Sequence, residues 1–252
     1  MAKVISVHSF RGGTGKSSFT ANLALLLAAP NRRVAIVDTD IQSPGIHIFF
    51  GVNSKEVTYS LNDYLWGKCS IQDAAIDLTP RYGDVIKGKL FLIPSSIDAG
   101  EIVRILREGF DARTLTRGMR QIIKELNLDV LLIDTHPGLN EETMLSIAIS
   151  HTLIIVLRPD QQDYAGTSVT LEVASALNVP NMMLLVNKVP PIFATHAVQE
   201  HIAASFNCRV AAVLPHAYEM MELTSSDIFA LRYPDHPITH TIKHVAHMVL
   251  GE

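Results

Sequence analysis

The chain lacks cysteine pairs, long apolar runs and any strong imbalance of charge. Cys69 and Cys208 are its only cysteines in 252 residues. Two isolated thiols make no disulfide framework and no CxxC metal pair. No run of about 18 uncharged apolar residues occurs, which excludes a transmembrane helix. The opening Met1–Val7 segment is too short and too soon interrupted to read as a signal peptide. Lys and Arg number 21 against 25 Asp and Glu, for a net charge of -4. No global field therefore draws the chain to nucleic acid or anionic lipid, and any such binding must be local. Linkers, internal repeats and low-complexity segments are missing as well. With 48% hydrophobic and 18% charged residues the chain is not disordered, and a protein of the reducing cytoplasm is expected.

What is present is a regular alternation. Apolar runs at Lys3–His8, Arg33–Asp38, Lys89–Ile93, Val130–Asp134, Leu153–Leu157, Met182–Val186 and Arg209–Leu214 read as strands. They lack period-2 alternation, as strands covered on both faces should. Helical patterns fall between them, from about Ser17 to Ala29 and at about 99–109, 113–127, 141–149, 163–178 and 193–205. This alternation predicts an α/β fold, a doubly wound and mostly parallel sheet with helices on both faces. Residues 51–88 are weakly patterned and read as an insertion, so residues 1–252 are expected to form one domain.

The strongest motif is Ser9-Phe10-Arg11-Gly12-Gly13-Thr14-Gly15-Lys16-Ser17, after a strand and before a helix. Its glycines allow positive φ and close backbone approach to phosphates. Successive amides and the helix N-terminus would hold the anion, with Gly12, Gly13, Thr14, Gly15, Lys16, Ser17 and Ser18 as the cradle. Lys16 would meet the β- and γ-phosphates, and Ser17 would offer a hydroxyl to Mg²⁺. The ordinary phosphate loop wants glycine where Phe10 stands. A basic residue and two glycines before x-G-K-S is the deviant form.

On this motif the chain resembles the MinD/ParA family of deviant-Walker ATPases, nearly end to end, from Val4 to about Leu250. The resemblance implies a P-loop fold, ATP and Mg²⁺, and an ATP-dependent homodimer. In the family a signature lysine stands at the position of Arg11 and reaches the phosphates of the other subunit. Arginine keeps the charge but is planar and longer, so it could act as a finger in trans or pair elsewhere. Asp38-Thr39-Asp40 looks like the first switch, which would make Asp40 the group that orients the attacking water and put Asp38 near the Mg²⁺ shell. Val130–Asp134 followed by Thr135-His136-Pro137-Gly138 looks like Walker B plus the second switch. Asp134 would hold a Mg²⁺-bound water. The family more often has proline or a small residue where His136 stands, and His136 reads as a loop residue. By the family's pattern Asn187 faces adenine. Pro190 occupies the place where GTPases of related architecture keep a base-binding aspartate, so ATP is favoured over GTP. Pro215 lies in the loop whose backbone borders the base.

Cousins on the same fold do not match. Iron–sulfur relatives need positioned cysteines, the tail-anchor targeting ATPase a methionine-rich insertion, and the tyrosine kinases a C-terminal tyrosine cluster. The remaining expectation is slow, Mg²⁺-dependent ATP hydrolysis that places or partitions a cellular cargo, with a stimulating or cargo protein as partner. Two alternatives stay open: an interaction switch with little hydrolysis, and a metabolic ATP-dependent ligase of the same superfamily. Arg113, Arg117, Arg120 and Lys124 share one helix face, with Arg104 and Arg107 on the preceding helix. That face reads as solvated, as a partner surface or as a nucleic-acid contact. The final helix, about 238–250, buries Ile238, Ile242, Val245 and Val249 on one stripe. His240, His244 and His247 lie opposite, with a single lysine, Lys243, so membrane binding through this helix is not expected.

Overall fold

Every apolar strand of this chain must bury two faces, because successive side chains point to opposite sides of a sheet. In β5, Val130 and Leu132 enter one core cluster while Leu131 and Ile133 enter another. Leu90 and Leu92 of β4 divide from Phe91 and Ile93 in the same way. This two-sided burial is the physical origin of the missing alternation.

The structure, a computed structural model, describes residues 2–251. In chain order its elements are β1 (Lys3–His8), α1 (Lys16–Ala28), β2 (Arg33–Asp38), α2 (Ile46–Phe49), α3 (Leu61–Leu65), β3 (Ile76–Asp77), β4 (Lys89–Ile93), α4 (Ala99–Glu108), α5 (Ala112–Glu125) and β5 (Val130–Asp134). There follow α6 (Glu141–Ala148), β6 (Thr152–Leu157), α7 (Gln161–Ala176), β7 (Asn181–Val189), α8 (Thr195–Phe206), β8 (Arg209–Pro215), α9 (Tyr218–Glu222), α10 (Phe229–Arg232) and α11 (Pro237–Leu250). One sheet of eight strands runs β3-β4-β2-β5-β1-β6-β7-β8. Every neighbouring pair is parallel except the short edge pair β3–β4. This is the doubly wound α/β architecture that the alternating pattern predicts.

Helices cover both faces. Residues of α1, α10 and α11 build one core with the strands. Residues of α3, α4 and α5 build part of the other, continued by α6, α7 and α8. Ile238, Ile242, Val245 and Val249 of α11 are buried, and His240, His244 and His247 are exposed, so the apolar stripe faces the domain. Among the described residues no helix is long and apolar enough to cross a membrane.

Residues 51–88 wrap the β4 edge. Leu61, Leu65, Ile71 and Ala74 enter one core cluster, and Leu78 and Ile86 the other. The segment adds α3, started by a reciprocal Ser60–Asp63 capping box, and the β3 edge strand, neither of which the weak patterning predicts. Gly88 lies so close to the entry of β2 that a Cβ there would overlap the Arg32 carbonyl oxygen.

Candidate nucleotide-binding site

The order of strands decides what meets at the carboxyl ends. β1 lies between β5 and β6, and β5 lies between β1 and β2. Their register sets Val7 beside Asp134 and Asp38 beside Asp134. The Ser9–Gly15 turn therefore leaves β1 next to two aspartates that end neighbouring strands.

Gly13 and Gly15 take φ of 77° and 94°, values that disfavour any residue with a Cβ. Gly15 is doubly constrained, since a Cβ there would run into Asn187 Nδ2. Gly15 opens α1 with no side-chain cap. By contrast Asp98, Asn140 and Asp160 cap α4, α6 and α7. The first amides of α1 remain available to an anion. Gly12, Gly13, Thr14, Gly15, Lys16, Ser17, Ser18, Asp40, Asn187 and Pro215 line one cleft of about 670 Å³. His216, Ala217, Met220 and Met221, in and around α9, line it as well.

The Lys16 side chain is only 7% exposed and its Nζ lies 3.1 Å from Asp134 Oδ1. Thr20 Oγ1 donates to the same oxygen at 3.1 Å. Asp134 Oδ2 and Asp38 Oδ2 are buried without a partner. Burial, and after it the charge of Asp134, raises the Asp38 carboxyl well above the ordinary carboxylate range. Two carboxylates face one ammonium, so a negative charge stays uncompensated unless Asp38 keeps its proton or a cation arrives. The two orphaned oxygens fit a divalent cation held largely through its water shell. Ser17 stands on the cleft wall, on the first turn of α1.

Asp40 Oδ1 accepts three hydrogen bonds, from Ser43 N at 3.1 Å, Ser43 Oγ at 2.9 Å and His136 Nδ1 at 2.7 Å. Burial alone would raise its pKa, but the bonds from His136 and Ser43 and the charge of Lys16 prevail and lower it. His136, read from sequence as a loop residue, thus has its ring on Asp40. No spacing signals this, because the contact spans 96 residues and exists only since β2 and β5 are neighbours. His8 also escapes sequence reasoning. It is fully buried, and its Nδ1 donates to Thr135 Oγ1 at 2.8 Å, that hydroxyl donating in turn to the Val7 carbonyl at 3.1 Å. Its Nε2 has no partner.

Two of the expected site residues also have partners within their own chain. Asn187, expected to face adenine, donates its Nδ2 to the Thr14 carbonyl at 2.8 Å, which leaves Oδ1 as its free polar atom for a base. Its neighbour Lys188, missed in the sequence, takes φ of 57° and donates Nζ to the Gly13 carbonyl at 2.8 Å. The pair ties the glycine turn to the end of β7. Arg11 does pair elsewhere. Its guanidinium lies 3.4 Å from Asp163 and 3.5 Å from Asp160, at the start of α7. Arg158 shares both carboxylates, and bonds from Arg158 hold Asp163 below its usual range against its burial.

On α5, Arg113, Arg117, Arg120 and Lys124 are all exposed, while Leu115, Met119 and Ile122 are buried. Arg113, Arg117 and Arg120 line a shallow groove with Thr116 and Leu145. Arg104 does not join them, since it stacks 3.8 Å over the Trp66 ring and pairs with Glu108 at 3.3 Å. Among the described residues no group of three or more His, Cys, Asp or Glu is placed to hold a metal.

An uncapped helix start behind a left-handed glycine turn, at the carboxyl ends of parallel strands, places this chain among the P-loop nucleotide-binding proteins. The family model described as an AAA domain matches residues 2–184, and the chain belongs to the MinD/ParA family of P-loop ATPases. An uncharacterised ATP-binding protein of Methanocaldococcus jannaschii is 26% identical over 254 residues, covering 100% of this chain and 89% of the relative. The septum site-determining protein MinD of Thermotoga maritima is 22% identical over 260 residues, with 100% and 89% covered. The structure of MinD from Pyrococcus horikoshii, solved as a complex with Mg-ADP, superimposes with a TM-score of 0.79 at 23% identity, covering 99% of this chain and 96% of that one.

Proposed function

We propose that this chain binds ATP with Mg²⁺ in the cleft and hydrolyses it slowly in the cytoplasm. The cycle drives an ATP-dependent homodimer that positions or partitions a cellular cargo, with a cargo or stimulating protein as partner. The observation that carries this reading is the buried Lys16 ammonium, 3.1 Å from Asp134 and beside two carboxylate oxygens without partners. An ammonium balanced on a buried carboxylate can exchange that partner for phosphate.

Lys16 and the amides of Gly12–Ser18 bind the phosphates. When bound, Mg²⁺ neutralises charge on the phosphate oxygens, with the Ser17 hydroxyl and, through water, Asp38 and Asp134 as its holders. Asp40 orients the attacking water through Oδ2, because Oδ1 already accepts three bonds. Asn187 Oδ1 accepts from the adenine amine, and Pro215 with Met220 and Met221 flanks the ring. Arg11 reaches the partner's phosphates only after leaving Asp160 and Asp163. That ion pairing favours a second reading, an interaction switch in which Arg11 stays in its own chain and hydrolysis is slight. The Arg113, Arg117, Arg120 and Lys124 face is the surface on which a phosphate backbone or an acidic partner would dock.

The test is steady-state ATP turnover with Mg²⁺ for the wild type and Asp40→Ala, beside ATP binding by calorimetry. Asp40→Ala should bind ATP as the wild type does and lose about 100-fold in turnover, since only the water-orienting group is gone. Undiminished turnover in this variant would reduce Asp40 to a turn residue.

A further inference from the structure

We infer that His136 is a positioning residue that bridges the loop after β5 to the loop after β2 and so aims the Asp40 carboxylate. This deepens the reading of Asp40 proposed above and rests on it.

The loop that carries His136 does not need the imidazole to hold its shape. Thr135 is tied to the Val7 carbonyl through both its amide and its hydroxyl. The His136 carbonyl accepts from Thr143 Oγ1 at 3.2 Å, and Gly138 N donates to the Ser9 carbonyl at 3.1 Å. With the backbone anchored at Thr135, His136 and Gly138, the ring is free to take its direction from Asp40, and it lies 2.7 Å away. Since a carboxylate only accepts, Nδ1 is the donor.

Asp40 is placed differently. The other two bonds of its carboxylate come from Ser43, three residues on in the same loop. The backbone is tied to the strands, since the Thr39 amide and hydroxyl both meet the Asp134 carbonyl and Asp40 N donates to Asp38 Oδ1, but the Ser43 bonds fix the carboxylate only relative to its own loop. His136 is the one recorded bond of the carboxylate to a residue outside its own loop, and it refers the carboxylate to the loop after β5, whose Asp134 carries Lys16. With Oδ1 held from three sides, Oδ2 is left to face a reacting water. Deleting the imidazole should free the Asp40 carboxylate to turn on its anchored backbone, which lowers turnover and leaves the phosphate contacts alone.

The experiment measures kcat and KM for ATP, with ATP binding as a check on folding, in His136→Ala, His136→Asn, His136→Gln, Asp40→Ala and the Asp40→Ala/His136→Ala double variant. Asparagine places an N–H near the position of Nδ1, and glutamine places one near Nε2. His136→Ala should lose about 10- to 100-fold in kcat, the worth of one hydrogen bond to a charged acceptor, with KM changed less than about twofold. His136→Asn should recover most of the loss and His136→Gln little. The double variant should be no slower than Asp40→Ala, because the ring acts through the carboxylate. Full activity in His136→Ala beside a slow Asp40→Ala overturns the role of His136 and spares that of Asp40. Equal losses in the Asn and Ala variants, or multiplied losses in the double variant, overturn it as well. Undiminished turnover in Asp40→Ala brings down both.

Discussion

Acid should destabilise this protein through one histidine. His8 sits at the end of β1 with no exposed surface. The Thr135 hydroxyl donates to Val7, so it can only accept from His8, which places the proton on Nδ1. Protonating Nε2 would bury a positive charge near Lys16, offset only in part by the His136 backbone. Burial first, then the charges of Lys16 and His136, push the pKa from 6.5 down to about 3. The folded value lies below the unfolded one, so the unfolded chain binds more protons between them. The stability contributed by neutral His8 is complete above about pH 6.5 and is lost as pH falls toward 3. With those two values the loss is about 2 kcal/mol by pH 5 and about 3 kcal/mol by pH 4. Other groups also titrate in this window, so the assay is a comparison. His8→Asn keeps a donor near the Nδ1 position and cannot ionise. Urea unfolding of both proteins, followed by the fluorescence of the single tryptophan, Trp66, at about pH 7.5, 5 and 4 isolates the His8 contribution. The wild type should lose about 2 to 3 kcal/mol more than the variant across that range. Parallel acid slopes would refute the assignment of a neutral buried imidazole.

Three further outcomes follow from the same geometry. Lys16→Ala should weaken ATP binding at least about 100-fold, because the phosphates lose their principal cation in a largely desolvated site; calorimetry showing unchanged affinity would remove the basis of the phosphate-loop reading. Arg11→Ala should bind ATP but stay monomeric in sedimentation, and Arg11→Lys should recover dimer at least in part. An Arg11→Ala protein that dimerises normally would favour the switch reading, in which the ion pair with Asp160 and Asp163 is the only business of that side chain. Gly88→Ala should cost about 2 kcal/mol or more in unfolding free energy, since its Cβ meets backbone, which cannot rotate aside; a change under about 0.5 kcal/mol would mean that the β4 entry shifts freely.

Contiguous residues carry local information, and the features that depend on it were legible. The Gly12–Ser17 turn needs glycine torsions and a lysine at one place in the chain, and its meaning survives without any knowledge of the sheet. The unbroken apolar strands announce two-sided burial, and the α5 and α11 stripes announce which face packs. Side-chain partners are another matter. Lys16 meets Asp134 across 118 residues, His136 meets Asp40 across 96, Arg11 meets Asp163 across 152 and Asn187 meets Thr14 across 173. Each contact depends on which strands lie side by side and in what register, and that is settled by packing the whole sheet between its helices. Arg11 shows the difference most plainly. Its charge and its place in the glycine turn are properties of the sequence, but the carboxylates that hold it stand at the start of α7, brought there by β6 lying beside β1.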